Sequence, residues 1–212
     1  MKTFTSFFAV AAAGAAFAAP AAYQSQQSYG VDHFVKFDNV PAGLIDGAPI
    51  RGLNELGSHE GLYYSNMGVI SATPLLAGLN AQSRPNVLAY DVLADLQGKQ
   101  ELRTDYDDST TSSFDFKSFY FGCVVSTQET LISVPLSCSM DIKGYRNGKQ
   151  VASQTARFQK PLLELAADMT KVELNADFCD VDSVTFDTNG LVESVLLAAL
   201  MDNFHYITKS SK

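Results

Sequence analysis

The sequence predicts an all-β protein, a jelly-roll β-sandwich with room for one short helix. Three observations carry that expectation. Segments rich in Val, Ile, Phe and Tyr are separated by turn residues roughly every eight to twelve positions, the rhythm of a sandwich. Asn147-Gly148 lies between two alternating segments, and a type I′ hairpin turn needs positive φ at both positions. Phe114 to Ser126 (FDFKSFYFGCVVS) is largely apolar on both faces, as a strand covered on two sides must be.

Along the chain, residues 1–18 read as a secretory signal peptide. Lys2 supplies the positive start, an apolar run follows from Phe4 to Ala18, and Ala16-Phe17-Ala18 fits the small-x-small cleavage rule. The run is shorter than the ~20 residues of a membrane span. Residues 19–32 read as a flexible, Gln/Ser-rich N-terminal segment, and the sandwich domain as 33–208. Its strands are expected at His33 to Asp38, Leu62 to Ile70, Val87 to Leu93, Phe114 to Ser126 and Val134 to Tyr145. Gln150 to Phe158, Asp168 to Leu174, Val181 to Asp187 and Met201 to Ile207 complete the set. Ala72 to Leu79 and Leu191 to Leu200 contain good helix formers. The second reads either as a short helix or as a loop leading into the last strand.

The formal net charge is −8, with no basic cluster, which argues against binding nucleic acid or anionic lipid through a basic patch. No second apolar run reaches membrane length and the last residues are polar, so the expectation is no membrane anchor and a secreted, extracellular product. In that oxidising compartment two of the three cysteines should pair. Cys123 and Cys138 fall on consecutive expected strands, where a hairpin would bring them close, leaving Cys179 over. Zinc is not expected, because there is no Cys-x-x-Cys and no His at ligand spacing.

No catalytic residues are assigned. Gly57-Ser58-His59-Glu60-Gly61 lacks the central Ser of a nucleophile elbow. Glu55, Glu60, Asp105, Asp107 and Asp108 could supply a glycosidase pair, but nothing selects two of them. His33 and His205 could meet if the first and last strands are neighbours. The better ion candidate joins the chain's ends: Asp38 and Asn39 close the first strand, and Asp202 and Asn203 open the last. Their carboxylate and amide oxygens suit a structural calcium ion. For a ligand surface, Tyr63, Tyr64, Tyr90 and Tyr106 lie in or near expected loops and strand ends, where rings could stack on a sugar.

Several motifs, in order, resemble a group of extracellular jelly-roll proteins. Phe37-Asp38-Asn39 resembles their Phe-Asp-Asp opening, and His59-Glu60-Gly61-Leu62-Tyr63-Tyr64 their Tyr-x-Gly-Leu-x-Trp/Phe segment. Phe114-Asp115-Phe116-Lys117-Ser118-Phe119 is similar to their Phe-Asp-Leu-x-Ser strand, and Gly144-Tyr145-Arg146-Asn147-Gly148 to their Gly-Tyr-x-x-Gly hairpin. Val184-Thr185-Phe186 and Met201-Asp202-Asn203-Phe204 are similar to their closing strands. The nearest match is to uncharacterised secreted proteins of filamentous fungi. The resemblance implies a galactose-binding-like or carbohydrate-binding-module-like β-sandwich and no particular activity. His59 stands where Tyr is usual and Tyr64 where Trp is common. The expectation is a secreted non-catalytic binding module for a glycan or cell-wall surface, with polysaccharide or glycoprotein as partner. The alternatives are a structural or protein-interaction factor and, less well supported, a glycan hydrolase or lyase.

Overall fold

The computed structural model describes residues 30–42, 54–72, 78–91, 98–125, 134–160, 166–190 and 197–210. In chain order the strands are β1 (Gly30–Val35), β2 (Gly57–His59), β3 (Leu62–Ser65), β4 (Gly68–Ser71), β5 (Leu79–Asn80), β6 (Asn86–Asp91), β7 (Gln100–Arg103) and β8 (Ser113–Val125). They continue with β9 (Val134–Pro135), β10 (Cys138–Arg146), β11 (Lys149–Phe158), β12 (Ala167–Asp168), β13 (Thr170–Glu173), β14 (Ser183–Gly190) and β15 (Leu197–Lys209). The fold is an all-β sandwich. Seven strands form one sheet in the order β13-β8-β15-β6-β4, with β1 on β15 and β9 on β8; six form the other, β11-β10-β14-β7-β3-β2.

The first sheet is organised by its two longest strands. β15 runs antiparallel to β8 from Leu197↔Val125 to Lys209↔Ser113. Its opposite edge is shared by β6, from Ala198 to Met201, and by β1, from Phe204 to Lys209. The first and last strands are therefore neighbours. Inward rings from this sheet meet those of the other: Phe116, Phe119 and Phe204 lie 5.8–6.4 Å, centroid to centroid, from Phe186 of β14. Burying each of these rings contributes roughly 1.5–3 kcal/mol to holding the sheets together.

Cys123 and Cys138 do form a disulfide. The reason differs from the hairpin expected. β8 and β10 belong to opposite sheets, so the bond crosses the sandwich instead of clipping a hairpin. The Asn147-Gly148 hairpin is present, with φ of 50° and 71°, joining β10 to β11. Opposite Cys123's inward side, Gly122 faces out. A Cβ there would lie 2.8 Å from both Leu79 methyl groups, so the parallel β5–β12 pair rests on this glycine.

Three expectations are corrected. The run Leu62 to Ile70 is two strands in different sheets, because Asn66 takes φ 56° and turns the chain across the sandwich. Asn tolerates that conformation through local hydrogen bonds of its side chain. Of Leu191 to Leu200, read as a short helix or a loop, Leu197 to Leu200 is strand; 191–196 lie outside the described residues, as do 73–77. Among the described residues the single helical element is a 3-10 turn at Ala176–Phe178, capped by Asn175. Finally, β1 begins at Gly30, three residues before His33. The signal peptide and its cleavage site lie outside the described residues. No helix among those described is long and apolar enough to cross a membrane.

Candidate functional site

Strand alternation sorts the four expected tyrosines into two pairs. Tyr64 and Tyr90 point into the core and are 0% and 2% exposed. Tyr64 O–H lies 3.2 Å from the Tyr206 hydroxyl, and its ring meets Phe37 edge-on at 5.8 Å. Burial, reinforced by Tyr206, pushes the Tyr64 hydroxyl well above its usual pKa, so it stays neutral. Tyr90 shares a short hydrogen bond with the Thr188 hydroxyl. Neither ring offers a face to a ligand, which corrects their place in the stacking set. An apolar-polar alternation through LYYS could not be phased from sequence, because both tyrosines satisfy either face.

Tyr63 and Tyr106 are half-buried, and the structure brings them together, ring centroids 6.0 Å apart and tilted by 38°. Tyr63 sits on the outer face of the six-stranded sheet, opposite Ser58 on one side and Arg103 on the other. The Arg103 guanidinium lies over the Tyr63 ring at 4.3 Å. It is held there by donating from Nε to Ser65 Oγ at 3.3 Å and from Nη1 to the Asp105 carbonyl. Tyr63 O–H donates to Glu55 Oε2 at 3.2 Å, and Glu55 Oε1 accepts the Asn66 amide at 2.9 Å. Two rings, a planar cation and a carboxylate are thus fixed at one exposed corner. Glu55 was named from sequence only among the candidate glycosidase carboxylates; Arg103 was not singled out and becomes visible only through the β3–β7 register. A cavity of about 410 Å³ opens at the far end of this face, lined by Ser139, Arg157 and Asn189 among others.

The ion candidates converge in part. Asp202 is 0% exposed and accepts from Ser83 N at 2.6 Å and Asn203 N at 2.7 Å, with Ser83 Oγ 3.1 Å from Oδ1. Burial, with the nearby charge of Asp38 acting in the same direction, pushes Asp202 up to about 6 against these hydrogen bonds. Asp38 Oδ1 accepts the Asn86 amide at 3.3 Å, and Asn86 Nδ2 donates to the Val40 carbonyl at 2.8 Å, clamping the turn after β1. Asn203, at φ 50°, keeps its Oδ1 buried without a protein partner. Asn39 is exposed on the turn. Ser83 and Asn86, which knit this corner, were not singled out from sequence.

The histidines do not form a pair. His33 points inward, stacked 5.0 Å from Tyr206, with its ring nitrogens 3.1 Å from Glu60 Oε2 and 2.9 Å from Thr208 Oγ1. His205 points outward, stacked 3.9 Å from Phe34 and 2.9 Å from Asp32 Oδ1. Adjacent strands are present, but one residue of register puts the rings on opposite faces. Gly57–Gly61 is a tight hairpin, with Glu60 and Gly61 both at positive φ, and not a nucleophile turn.

Asp115, Cys179 and Asp180 form a further cluster, with ligand atoms within 4.8 Å of one another. Lys209 already supplies its cation: Nζ lies 2.6 Å from Asp115 Oδ1 and also pairs with Asp180, while Lys117 approaches Asp115 Oδ2 at 3.3 Å. Burial pushes the Asp115 carboxyl up, but hydrogen bonds from Lys209, the Asp180 amide and Lys117 outweigh it and hold it at about 2. Burial and Asp115 push the Cys179 thiol up, away from the reactive thiolate. The cluster is an ion-paired staple tying β15 to β8. Because the folded pKa of Asp115 lies below the unfolded ~3.9, its stabilisation is present above that value and lost as pH falls towards 2. Denaturant unfolding between pH 5 and pH 2 should lose about 2 kcal/mol from this group, and Asp115→Asn should flatten that slope. An unchanged slope in the variant would remove Asp115 from the account.

No protein-family model matches the chain, and no curated protein matches it. Among solved structures, the chain is similar to a DUF4465 family protein from Bacteroides caccae, at 12% identity and TM-score 0.49, covering 84% of this chain and 100% of that one. It is also similar to the K2 cleaved adhesin domain of Lys-gingipain, at 16% identity and TM-score 0.35, covering 85% and 98%. A third similarity is to an exo-beta-agarase, at 12% identity and TM-score 0.36, covering 85% of this chain and 25% of that one. None of these likenesses assigns the chain to a family.

Proposed function

We propose that this protein is a secreted, non-catalytic module that binds a glycan or cell-wall surface. The observation that supports this most is the corner formed by Tyr63, Tyr106, Arg103 and Glu55. Its rings are partly open to solvent, and its polar groups are held by neighbours before any ligand arrives. Preorganised rings with hydrogen-bonding groups at their edges suit a sugar, whose apolar face stacks while its hydroxyls bond.

Calcium would serve this module as a staple. Asp38, Asp202 and the buried, unpartnered Asn203 Oδ1 are hard oxygen donors at the junction of β1 with β15, and they fit the ion's preference. Bound there, calcium would offset the charge that burial makes costly on Asp202.

The test is retention of the mature protein on insoluble chitin, glucan, cellulose and pectin, with calcium and then with chelator. Tyr63→Ala and Tyr106→Ala should each weaken binding by about 1–2 kcal/mol, roughly five- to thirtyfold. Chelation should lower the melting temperature in the parent and leave Asp202→Asn unaffected. Absence of retention on every polymer would sink the glycan reading, and a melting temperature indifferent to calcium would sink the staple.

A protein-interaction role is the second reading, favoured by the exposed, unpaired Cys179. A disulfide-linked dimer on a non-reducing gel, abolished by Cys179→Ser, would support it. A monomer with one titratable thiol would count against it.

A further inference from the structure

The outer face of the six-stranded sheet carries more than the Tyr63 corner. Antiparallel partners directly opposite one another share a face. Following the registers outward from Tyr63 gives one continuous row across four strands. Tyr63 of β3 faces Arg103 of β7, Arg103 faces Ser183 of β14, and Ser183 faces Tyr145 of β10. Tyr145 is half-buried, like Tyr63. The alternation is fixed by its neighbour. Gly144 points inward, where an added Cβ would meet Val181 and Ala152 within 3.1 Å. With strands ~4.8 Å apart, the two tyrosines stand roughly 14 Å from each other. The guanidinium and one small hydroxyl lie between them.

A second row runs parallel to the first: Ser65, Glu101, Thr185 and Lys143. In it Glu101 supplies acceptors and Lys143 donors, on either side of the buried Thr185. Along these strands charges of both signs are interspersed, Arg103, Lys143 and Arg157 standing among Glu101, Asp141 and Asp187, with Arg146 and Lys149 at the β10–β11 hairpin end. The rim beside Tyr106 is acidic, through the exposed Glu55, Asp105, Asp107 and Asp108. With both signs mixed along its length, the face offers neither a polyanion nor a polycation a continuous surface of opposite charge. Its complement is an uncharged, polyhydroxylated chain.

We infer that the row Tyr63–Arg103–Ser183–Tyr145 is an extended binding site for a neutral polysaccharide chain lying across the strands, with Tyr145 as its distal ring. This rests on the reading of the Tyr63 corner as a glycan site, and extends it from a single sugar to a chain of several units.

The experiment is titration calorimetry of the mature protein with cello-, laminari- and chito-oligosaccharides of two to six units, beside polygalacturonate. In one of the neutral series affinity should climb with length and then level off, once a chain reaches both rings. Tyr145→Ala should leave the two-unit ligand unchanged and weaken the six-unit ligand about tenfold. Tyr145→Phe should restore it, since the ring is what stacks. Tyr63→Ala should weaken both lengths. An unaltered melting temperature in Tyr145→Ala excludes a folding defect, and the Phe variant keeps the test decisive if Ala destabilises. If Tyr63→Ala abolishes binding while Tyr145→Ala changes no length, the corner stands and the extension falls. If only polygalacturonate binds, the neutral class is wrong. If the parent binds no oligosaccharide and no insoluble polymer, the underlying reading fails with it. A dimer in size-exclusion chromatography that Tyr145→Ala splits would give this face to a second copy of the chain and overturn the inference.

Discussion

Phe204→Ala should cost about 3–5 kcal/mol of folding stability, the largest effect expected from a single substitution in this protein. Phe204 is 0% exposed on β15. Its ring lies 5.4 Å from Phe37 and Phe116, 5.6 Å from Phe119, 6.2 Å from Tyr64 and 6.4 Å from Phe186. These rings come from both sheets and from the turn after β1, so truncation removes contacts in every direction, and a close-packed interior cannot collapse to fill the space. Domains of this kind hold roughly 5–15 kcal/mol in total, so the variant should stand near the edge of folding. Phe204→Leu, which keeps most of the volume, should lose much less. Urea unfolding with an unchanged slope and a shifted midpoint is the measurement. A loss below about 1 kcal/mol would mean that these rings are not the shared core of the two sheets.

Removing the disulfide should cost about 3 kcal/mol. Cys123 and Cys138 are 15 residues apart in sequence, and closing a loop of that size restricts the unfolded chain by roughly this amount. The bond also joins the two sheets directly, so the double variant Cys123→Ala with Cys138→Ala leaves a small cavity in addition. Comparing that variant with the reduced parent separates the two contributions. Equal stability of oxidised and reduced protein would show that the cross-link restricts nothing the fold has not already restricted.

The architecture was legible because hydrophobic period, turn residues and strand length agree in β8, β10 and β11 and from Met201 onward in β15. Asn147-Gly148 named its turn unaided. The break at Asn66 was hidden, since Leu62 to Ile70 is rich in aromatic and β-branched residues on both sides of it and only the backbone at Asn66 divides the segment. The disulfide partners were legible as a pair, but sheet membership is a tertiary property and the hairpin rationale was wrong. At the proposed ligand corner, Tyr63 and Tyr106 were within reach of sequence reasoning because both lie in or near expected loops and strand ends. Arg103 was not, because its position over a ring follows from a cross-strand register. Asp38 and Asp202 come together because β1 lies beside β15, an arrangement that the chain's ends suggested and that the structure contains.

The placement of β15 has a consequence for how the protein is made. It is the last strand in sequence, yet β8, β6 and β1 all bond to it. Until residues 197–209 have been synthesised, none of those three strands has its main partner, and the first sheet has no spine. The emerging chain must therefore remain open, with long apolar edges that invite association with other chains. Most contacts join residues distant in sequence, which makes the final closure slow, on the millisecond-to-second scale of all-β domains. A fragment ending before Leu197 should neither fold nor stay dispersed.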